Sequence, residues 1–552
     1  MAGTYPERVR FPKGVSGREG KPITFKALPR HSVQMQGFLT HGCDYLRIGG
    51  FSMTHPSEIP EGLGVGGSRL ARTGIQIGSH HVEVVDNVFP NNEFYGIWGS
   101  SGGPQKDYQN ATDVYVAYNR VIQSGSGIFV AGSRWVVEHN EVYKLKLTMK
   151  GTDCDYSRPF GHHHKIRYNF FHGSVRADVG QSHMDSLQTY GANNEYGHDI
   201  DIEHNVFFDF AQGFMGSNKI GGEKWKNWTV RYNLFAGETG VVEISKAKML
   251  GVHGVMLSKM PGARIENNTF LNLLYFGTFL NVDRGVVNSN LYFNIGSYSY
   301  AMAETCTSDR NLIFKARKPG LLNPARNLPQ PKDLLDRDPR FVAAEKTNYR
   351  LAKGSPAIDA GVGGADIGAV EYPNVYYVDS RHPGASDELW GYAGAPFRTV
   401  ARACAVAGPG ETIVLRSGVY REQMRPQADG VSVRAMAGEK VTVTGADLIT
   451  GWRRDAGGWS APLAAKPKTV LRDGKPWAAF TYDAEAGRII VKDGDPRLHI
   501  VETIVREHAL DLTGRQQVRV AALNLVHTLG EPVVGAGKAT LTDVTVDGEP
   551  FK

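Results

Sequence analysis

Between Val82 and Tyr292 one eight-residue pattern of apolar and polar positions recurs eight times, always with Asn in the sixth place. The copies are VEVVDNVF from Val82, VYVAYNRV from Val114, WVVEHNEV from Trp135, HKIRYNFF from His164, IDIEHNVF from Ile200, WTVRYNLF from Trp228, ARIENNTF from Ala263 and GVVNSNLY from Gly285. The third place is β-branched and apolar in every copy, and the eighth is apolar in every copy. Alternation over the first four places has the period of a half-buried strand. Asn, whose short amide bonds to nearby backbone and tolerates turn geometry, ends that strand. Successive Asn residues are 32, 21, 29, 36, 28, 35 and 22 positions apart, a floor with irregular additions. A coil of minimum circumference whose insertions leave as loops gives that spacing, so the pattern predicts a solenoid with its Asn residues in a buried ladder. GIQIGSH, GIFVAGS and GTFLNVD each begin 13 residues before a ladder Asn and predict a second strand per coil. The intervals 99–112, 144–163, 189–199, 217–227 and 246–253 read as loops, most of them on one side, where they would wall a groove.

This repeat resembles the right-handed parallel β-helix of pectate-lyase-like proteins. The opening AGTYPERVRFPKGVSGREGKPITFKALP and the closing NYRLAKGSPAIDAGVGGADIGAVEY (Asn348 to Tyr372) are similar to segments of bacterial β-helix proteins. YLRIGGFSM (Tyr45 to Met53) reads as a degenerate early coil, and after Tyr292 the pattern decays into a Pro- and Asn-rich tail. A fresh start follows at VYYVDS, with FRTVARACAVA placing Val400, Ala403, Cys404 and Ala407 at helical spacing, a short helix fit to cap an open coil. AAFTYDAEAGRIIVKDGDP predicts short antiparallel strands with turns at Ala484-Glu485 and Asp493-Gly494. The expected architecture is all-β: a right-handed parallel β-helix over residues 1–372 lacking its N-terminal cap, then the start of a second, incomplete β-helix over 373–552.

Composition changes this picture little. With 62 Lys and Arg against 56 Asp and Glu, the net charge of +6 is mildly basic and is no nucleic-acid footprint. Cys43, Cys154, Cys306 and Cys404 stand singly, which predicts free thiols and neither a disulfide framework nor a cysteine zinc site. No apolar run reaches the length of a membrane span, and MAGTYPERVRF has no signal-peptide core. The resemblance nevertheless implies an extracellular or periplasmic protein in its full-length form. The sequence leaves the oligomeric state open.

Candidate chemistry concentrates between Gly151 and Gly191, which hold His162, His163, His164, His172 and His183 with Asp153, Asp155, Asp178 and Asp185. His183, Asp185 and Gln188 match a His-x-Asp-x-x-Gln motif of an uncharacterised branch of the β-helix proteins. An imidazole titrates near neutral pH and needs its tautomer fixed, so His183 is the candidate base or acid and Asp185 and Gln188 its orienters. The alternative is a polar strand edge, and alternation does not decide which face these residues occupy. In the His162–His164 run, His164 takes the inward first place of the repeat and His163 faces out; a zinc site would need three or four converging ligands. Asp153 and Asp155 offer oxygen ligands of the kind calcium uses, and calcium assists many pectate-lyase-like enzymes. No metal ligand is assigned.

Lys219, Glu243, Lys246 and Lys259 follow, and VEISKAK (Val242 to Lys248) is faintly similar to a Lys-bearing strand of chondroitinase- and alginate-type lyases. The resemblance implies Lys219 and Lys246 as neutralisers of developing enolate charge. Tyr95, Trp98, Tyr190 and Trp225 are candidate aromatic platforms for sugar rings, joined by His163 as a substrate contact. The preferred function is a polysaccharide lyase cleaving an acidic glycan by β-elimination. Alternatives are a glycoside hydrolase, needing two carboxylates across a groove, and a non-catalytic glycan-binding or surface protein.

Overall fold

The computed structural model describes residues 2–54, 72–99, 111–148, 153–180, 182–191, 196–218, 224–243, 251–317, 330–455, 458–492 and 494–551. Its contacts divide the chain into two units, one built essentially from Met1–Tyr372 and the other from the residues that follow.

The first unit is a right-handed parallel β-helix with three strands per regular coil. The first four places of the repeat form one face, in strands such as Val82–Val85, Tyr115–Ala117, Lys165–Arg167 and Gly197–Glu203. The residues after Asn form the second, in strands such as Val88–Pro90 and Phe170–His172. The third is formed by Ile75–Gln76, Ser126–Val130 and Phe276–Asn281, where the pattern predicts extra strands, together with Tyr95–Trp98, Ser157–Pro159, Asp185–Gly191, Gln212–Asn218 and His253–Ser258, where it does not; Ser157–Pro159 lies within the expected loop 144–163. All join their neighbours in parallel.

Register follows the repeat. Val84, Val116, Val137, Ile166, Ile202, Val230, Ile265 and Val287 are consecutive strand partners and fully buried. The eighth places stack likewise, and from Phe171 through Phe207, Phe235 and Phe270 to Tyr292 their rings lie 4.6 to 5.3 Å apart in near-parallel planes. Apolar side chains thus form columns along the axis, each shielded by the coil on either side.

The ladder runs beside these columns. The Nδ2 and backbone N–H of Asn169 both donate to Asn205 Oδ1, at 2.9 and 3.0 Å, while Asn169 Oδ1 accepts the same pair from Asn140. Each amide also donates to the backbone carbonyls of its own turn and of the coil before, for Asn169 those of Arg167 and Val137. At one end Asn87 Oδ1 accepts from Phe51 N–H. At the other a ninth rung, Asn311, donates to Asp333 Oδ1. The repeat therefore outlasts Tyr292 by one coil, TSDRNLIF, whose short strands are Thr307–Asp309 and Leu312–Phe314. With Asn311 in the sixth place, its third place is the polar Ser308, strand partner of Val287, which conceals it from a hydrophobicity pattern.

The structure also relocates the turn. The left-handed residue is the one before Asn: Asp86, Tyr118, His139, Tyr168, His204, Tyr232, Asn267 and Ser289 have φ between 52° and 65°. Left-handed backbone costs an L-residue roughly 1–2 kcal/mol, which the amide bonds of the next position offset. Five of these residues stack their rings in sequence, Tyr118 on His139, Tyr168, His204 and Tyr232, with centroids 5.0 to 5.3 Å apart.

In the second unit Val375–Val378, Thr412–Leu415, Ser432–Ala435, Arg519–Ala521 and Thr540–Thr542 form one parallel sheet. Gly418–Tyr420, Val441–Thr444, Asn524–Val526 and Thr545–Val546 form another. The helix Val400–Val406 lies where helical spacing places it; Thr399 caps it by accepting from Arg402 N–H at 3.1 Å, and Val400, Ala403 and Cys404 are buried. Between Thr444 and Arg519 the chain forms two four-stranded antiparallel sheets, one of which includes the hairpin of Thr481–Asp483 with Arg488–Val491.

Replacing Asn169 by Ala leaves the Asn140 donors and two carbonyls without their partner in a water-free site. At about 1–3 kcal/mol per orphaned buried group, partly relieved by shared bonds, Asn169→Ala is expected to destabilise the first unit by ~3–5 kcal/mol. Hydrogen exchange should accelerate first at Asn140 and Asn169 N–H, against an exposed control such as Lys165→Ala.

Candidate functional site

Two successive coils, Asp153–Asn169 and His183–Asn205, carry the candidate residues, and they do so in two places. The first is on the third face. Asp155 and Asp185 stand at the starts of neighbouring strands, both at most 1 % exposed, and Asp185 N–H donates to Asp155 Oδ1 at 3.1 Å. Arg158 ties the acids together: its Nε donates to Asp155 Oδ2, and its Nη2 to Asp153 Oδ2 at 2.8 Å. Gln188 Nε2 donates to Asp185 Oδ2 at 2.6 Å, while Asp185 Oδ1 is buried and meets no hydrogen-bond partner among the described residues. Desolvation raises the Asp155 carboxyl to about 6 despite Arg158. Burial, then the Asp155 charge, pushes Asp185 well above the usual carboxylate range. Two carboxyls so close in a buried site resist double ionisation, which raises both. Above it Trp98 stacks on Phe129 at 4.0 Å, and Phe160 meets the edge of Tyr190 at 5.3 Å.

The second place is the turn that leads from the third face into the first. His163 and Asp199 occupy equivalent left-handed positions, φ 58° and 55°, on adjacent coils, and His163 N–H donates to His198 O at 3.2 Å. His162 and His198 are strand partners, their rings parallel within 2° and 4.8 Å apart. His162 Nδ1 lies 2.7 Å from His163 Nδ1, and His198 Nδ1 lies 2.7 Å from Asp199 Oδ2. Asn227, one coil on, donates to Asp199 Oδ1 at 2.8 Å. Desolvation opposes the Asp199 charge, yet the Asn227 amide and the His198 ring hold its carboxyl below the ordinary value. Desolvation, then His198 and His163, lowers His162. The cluster opens on a cleft of ≈ 660 Å³ lined by Gly132, Ser133, His162, Tyr196, His198, Asp199, Lys224 and Lys226.

The sequence-derived candidates divide accordingly. Asp185 and Gln188 are joined as expected of neighbours, but to each other: His183 is exposed two residues before the buried Asp185, and the orienting bond goes to the amide. His163 stands exposed beside the cleft, whereas His164 is a core residue. Its Nδ1 accepts from Trp135 N–H at 3.1 Å, its Nε2 bonds Phe160 O at 2.8 Å, and burial lowers it to about 3. Tyr95 and Trp225 are buried at 2 % and 1 %, so their rings meet protein and offer no face to a sugar. Trp98 and Tyr190 are half-buried. His172 pairs with Glu141 at 2.9 Å, and Asp178 is exposed on the short helix Arg176–Val179. Arg158 fills the place between Asp153 and Asp155 that a calcium ion would need. Lys219 and Lys246 lie outside the described residues; Glu243 and Lys259 are exposed.

His198, Asp199, Tyr196, Lys224, Lys226 and Arg158 are additions of the structure. A signal for part of the set exists in the chain. His163 precedes Asn169 by six residues, and Asp199 precedes Asn205 by six, so counting back from the ladder stacks them.

No family model and no curated protein matches the chain. Among solved structures, the chain is similar to the PL6 family alginate lyase AlyGC at 14 % identity and a TM-score of 0.35, covering 99 % of this chain and 72 % of that one. It is similar to the alginate lyase AlyF-OU02 in complex with G6 at 8 % identity and a TM-score of 0.33, covering 96 % and 88 %. Against XylC with xylose, at 20 % identity and a TM-score of 0.23, the chain covers 28 % of itself and only 36 % of that structure. The likeness is one of fold.

Replacing Asp185 by Asn keeps the shape and the Gln188 bond and removes the titration. With its folded value raised, Asp185 favours the native state at low pH and loses that contribution as pH rises above about 4. Asp185→Asn is therefore expected to gain stability relative to the parent between pH 4 and 7, with a slope of at most ~1.4 kcal/mol per pH unit. Thermal unfolding followed across that range measures the gap.

Proposed function

We propose that the protein is a carbohydrate-active enzyme of the polysaccharide-lyase type, acting on an acidic glycan in the cleft beside His162 and His198. The observation that carries this reading is the lining of the cleft: two imidazoles, a phenol and two ammonium groups face open space, with one carboxylate already bonded to His198 and Asn227. β-Elimination from a uronate needs a cation to neutralise the substrate carboxylate and enolate-like charge, and a base for the neighbouring proton. Lys224 and Lys226 supply the positive charge, and the imidazoles supply the proton acceptor. Residues on the turn and first face of consecutive coils carry these groups, His198 pairing in register with His162 on one side and Lys226 on the other.

A glycoside hydrolase is the second reading, favoured by the raised carboxyls of Asp155 and Asp185. Hydrolysis needs both carboxyls to reach the glycosidic bond from opposite sides; these two lie buried side by side, bonded through the Asp185 N–H.

Incubation with a panel of acidic and neutral polysaccharides separates the two. A lyase gives an ultraviolet-absorbing unsaturated uronate together with new reducing ends, while a hydrolase gives reducing ends alone. For the lyase, His162→Ala is expected to lower kcat/KM by about 10²–10⁴, and Lys226→Ala to act mainly on KM. Asp185→Asn is expected to leave elimination largely intact; abolition of activity by Asp185→Asn with no change in His162→Ala would overturn the assignment.

A further inference from the structure

We propose that His163, His198 and Asp199 form a binding site for a divalent transition-metal ion of the zinc class at the mouth of the cleft. One ring nitrogen from each histidine and one oxygen from Asp199 lie within 4.8 Å of one another. His198 Nδ1 is 2.7 Å and His163 Nε2 is 4.0 Å from Asp199 Oδ2. Ligands held about 2.0–2.2 Å from one zinc ion are separated by roughly 3–4 Å, so small side-chain rotations bring all three onto a common centre.

The backbone brings these groups together before any ion arrives. His163 and Asp199 sit on one column of left-handed turns, and His198 precedes Asp199 directly. The surroundings supply what ligating groups require of their neighbours. A metal-bound imidazole donates its other ring N–H to an acceptor; His163 Nδ1 has His162 Nδ1 at 2.7 Å in that position. The stack of His162 on His198 fixes the second ring, and the Asn227 amide holds the Asp199 oxygen that is turned away from His198.

Ligand chemistry selects the ion. Calcium and magnesium take oxygen ligands almost exclusively, whereas two imidazoles and one carboxylate suit zinc, cobalt and their neighbours. Three protein ligands leave a fourth position open, and His198 and Asp199 also line the cleft, which admits water or an anionic ligand. The site is independent of the lyase reading, because metal binding is read without any substrate.

The test is titration of the chelator-treated full chain with zinc by calorimetry and with cobalt(II) by visible absorption. One equivalent is expected to bind tightly, with the intense d–d bands of a low-coordinate cobalt site. His163→Ala and Asp199→Asn, both at exposed or half-exposed positions, are expected to weaken binding at least 10-fold and to lose those bands. His183→Ala, an exposed histidine outside the cluster, is expected to change neither. Absence of a stoichiometric site in the parent chain, unchanged affinity in His163→Ala, or an equal loss in His183→Ala would overturn the proposal.

Discussion

The constraint on which the structure depends is the satisfaction of a buried amide. At every turn from the first face to the second the backbone must reverse in a dry interior, and the groups it exposes there need partners. Asn answers with one side chain: Oδ1 accepts two donors from the preceding rung, and Nδ2 reaches the next Oδ1 and the carbonyls of two turns. Because each rung needs the rungs on both sides, the coils are locked into one register. That register in turn fixes the apolar columns and places side chains of neighbouring coils opposite one another. A site on the surface of such a solenoid therefore inherits its register from the ladder. After Asn311 the acceptor is a carboxylate: Asp333 Oδ1 receives both the backbone N–H and the Nδ2 of Asn311.

The fold was legible because the ladder and the columns are periodic in sequence, and periodicity survives variation in loop length. Copies such as VEVVDNVF and WTVRYNLF announce both the strand and the turn. Asn311 escaped because Ser308 fills the third place, where every other copy is β-branched and apolar, although it donates to the next rung position and to the Val287 carbonyl of the coil before as the other rungs do. The left-handed residue escaped because Tyr118, Tyr168 and Tyr232 are not residues that ordinarily mark such a turn. Their conformation is imposed by the amide that follows and by ring stacking between coils, a tertiary cause with no local signature.

The site was legible in part, and the division has a physical reason. Residues at a fixed distance from the ladder keep their alignment, so His162 with His198 and His163 with Asp199 are recoverable by counting back from Asn169 and Asn205. On the third face insertions intervene: Arg158 lies 11 residues before Asn169 while its neighbour Gln188 lies 17 before Asn205. No count connects them. Proximity in sequence misleads in the same region, since His183 and Asp185 share a motif yet differ in burial, the strand beginning at Asp185. A motif read along the chain assumes that its members converge; in a coil, convergence runs along the axis.

The two clusters occupy the same pair of coils and have opposite electrostatic characters. Asp155 and Asp185 are carboxyls driven toward neutrality by burial, while His163, His198 and Asp199 are polar groups kept in contact with water. A buried acid pair is expensive to keep without a function or a structural return. Here the return is visible in the bonds: Asp155 receives the Asp185 N–H and anchors Arg158, whose guanidinium also holds Asp153. Both acids stand where the third face begins, so the network fixes the entry of two successive coils onto that face. The histidine turns lie at its other end, a strand's length further on. On both coils the acids stand upstream of the histidines, Asp155 before His162 and Asp185 before His198. The departure from the repeat is thus spread over two coils: a buried network of acids and Arg158 where the third face begins, and an open cluster of imidazoles and a carboxylate at the turn into the first face.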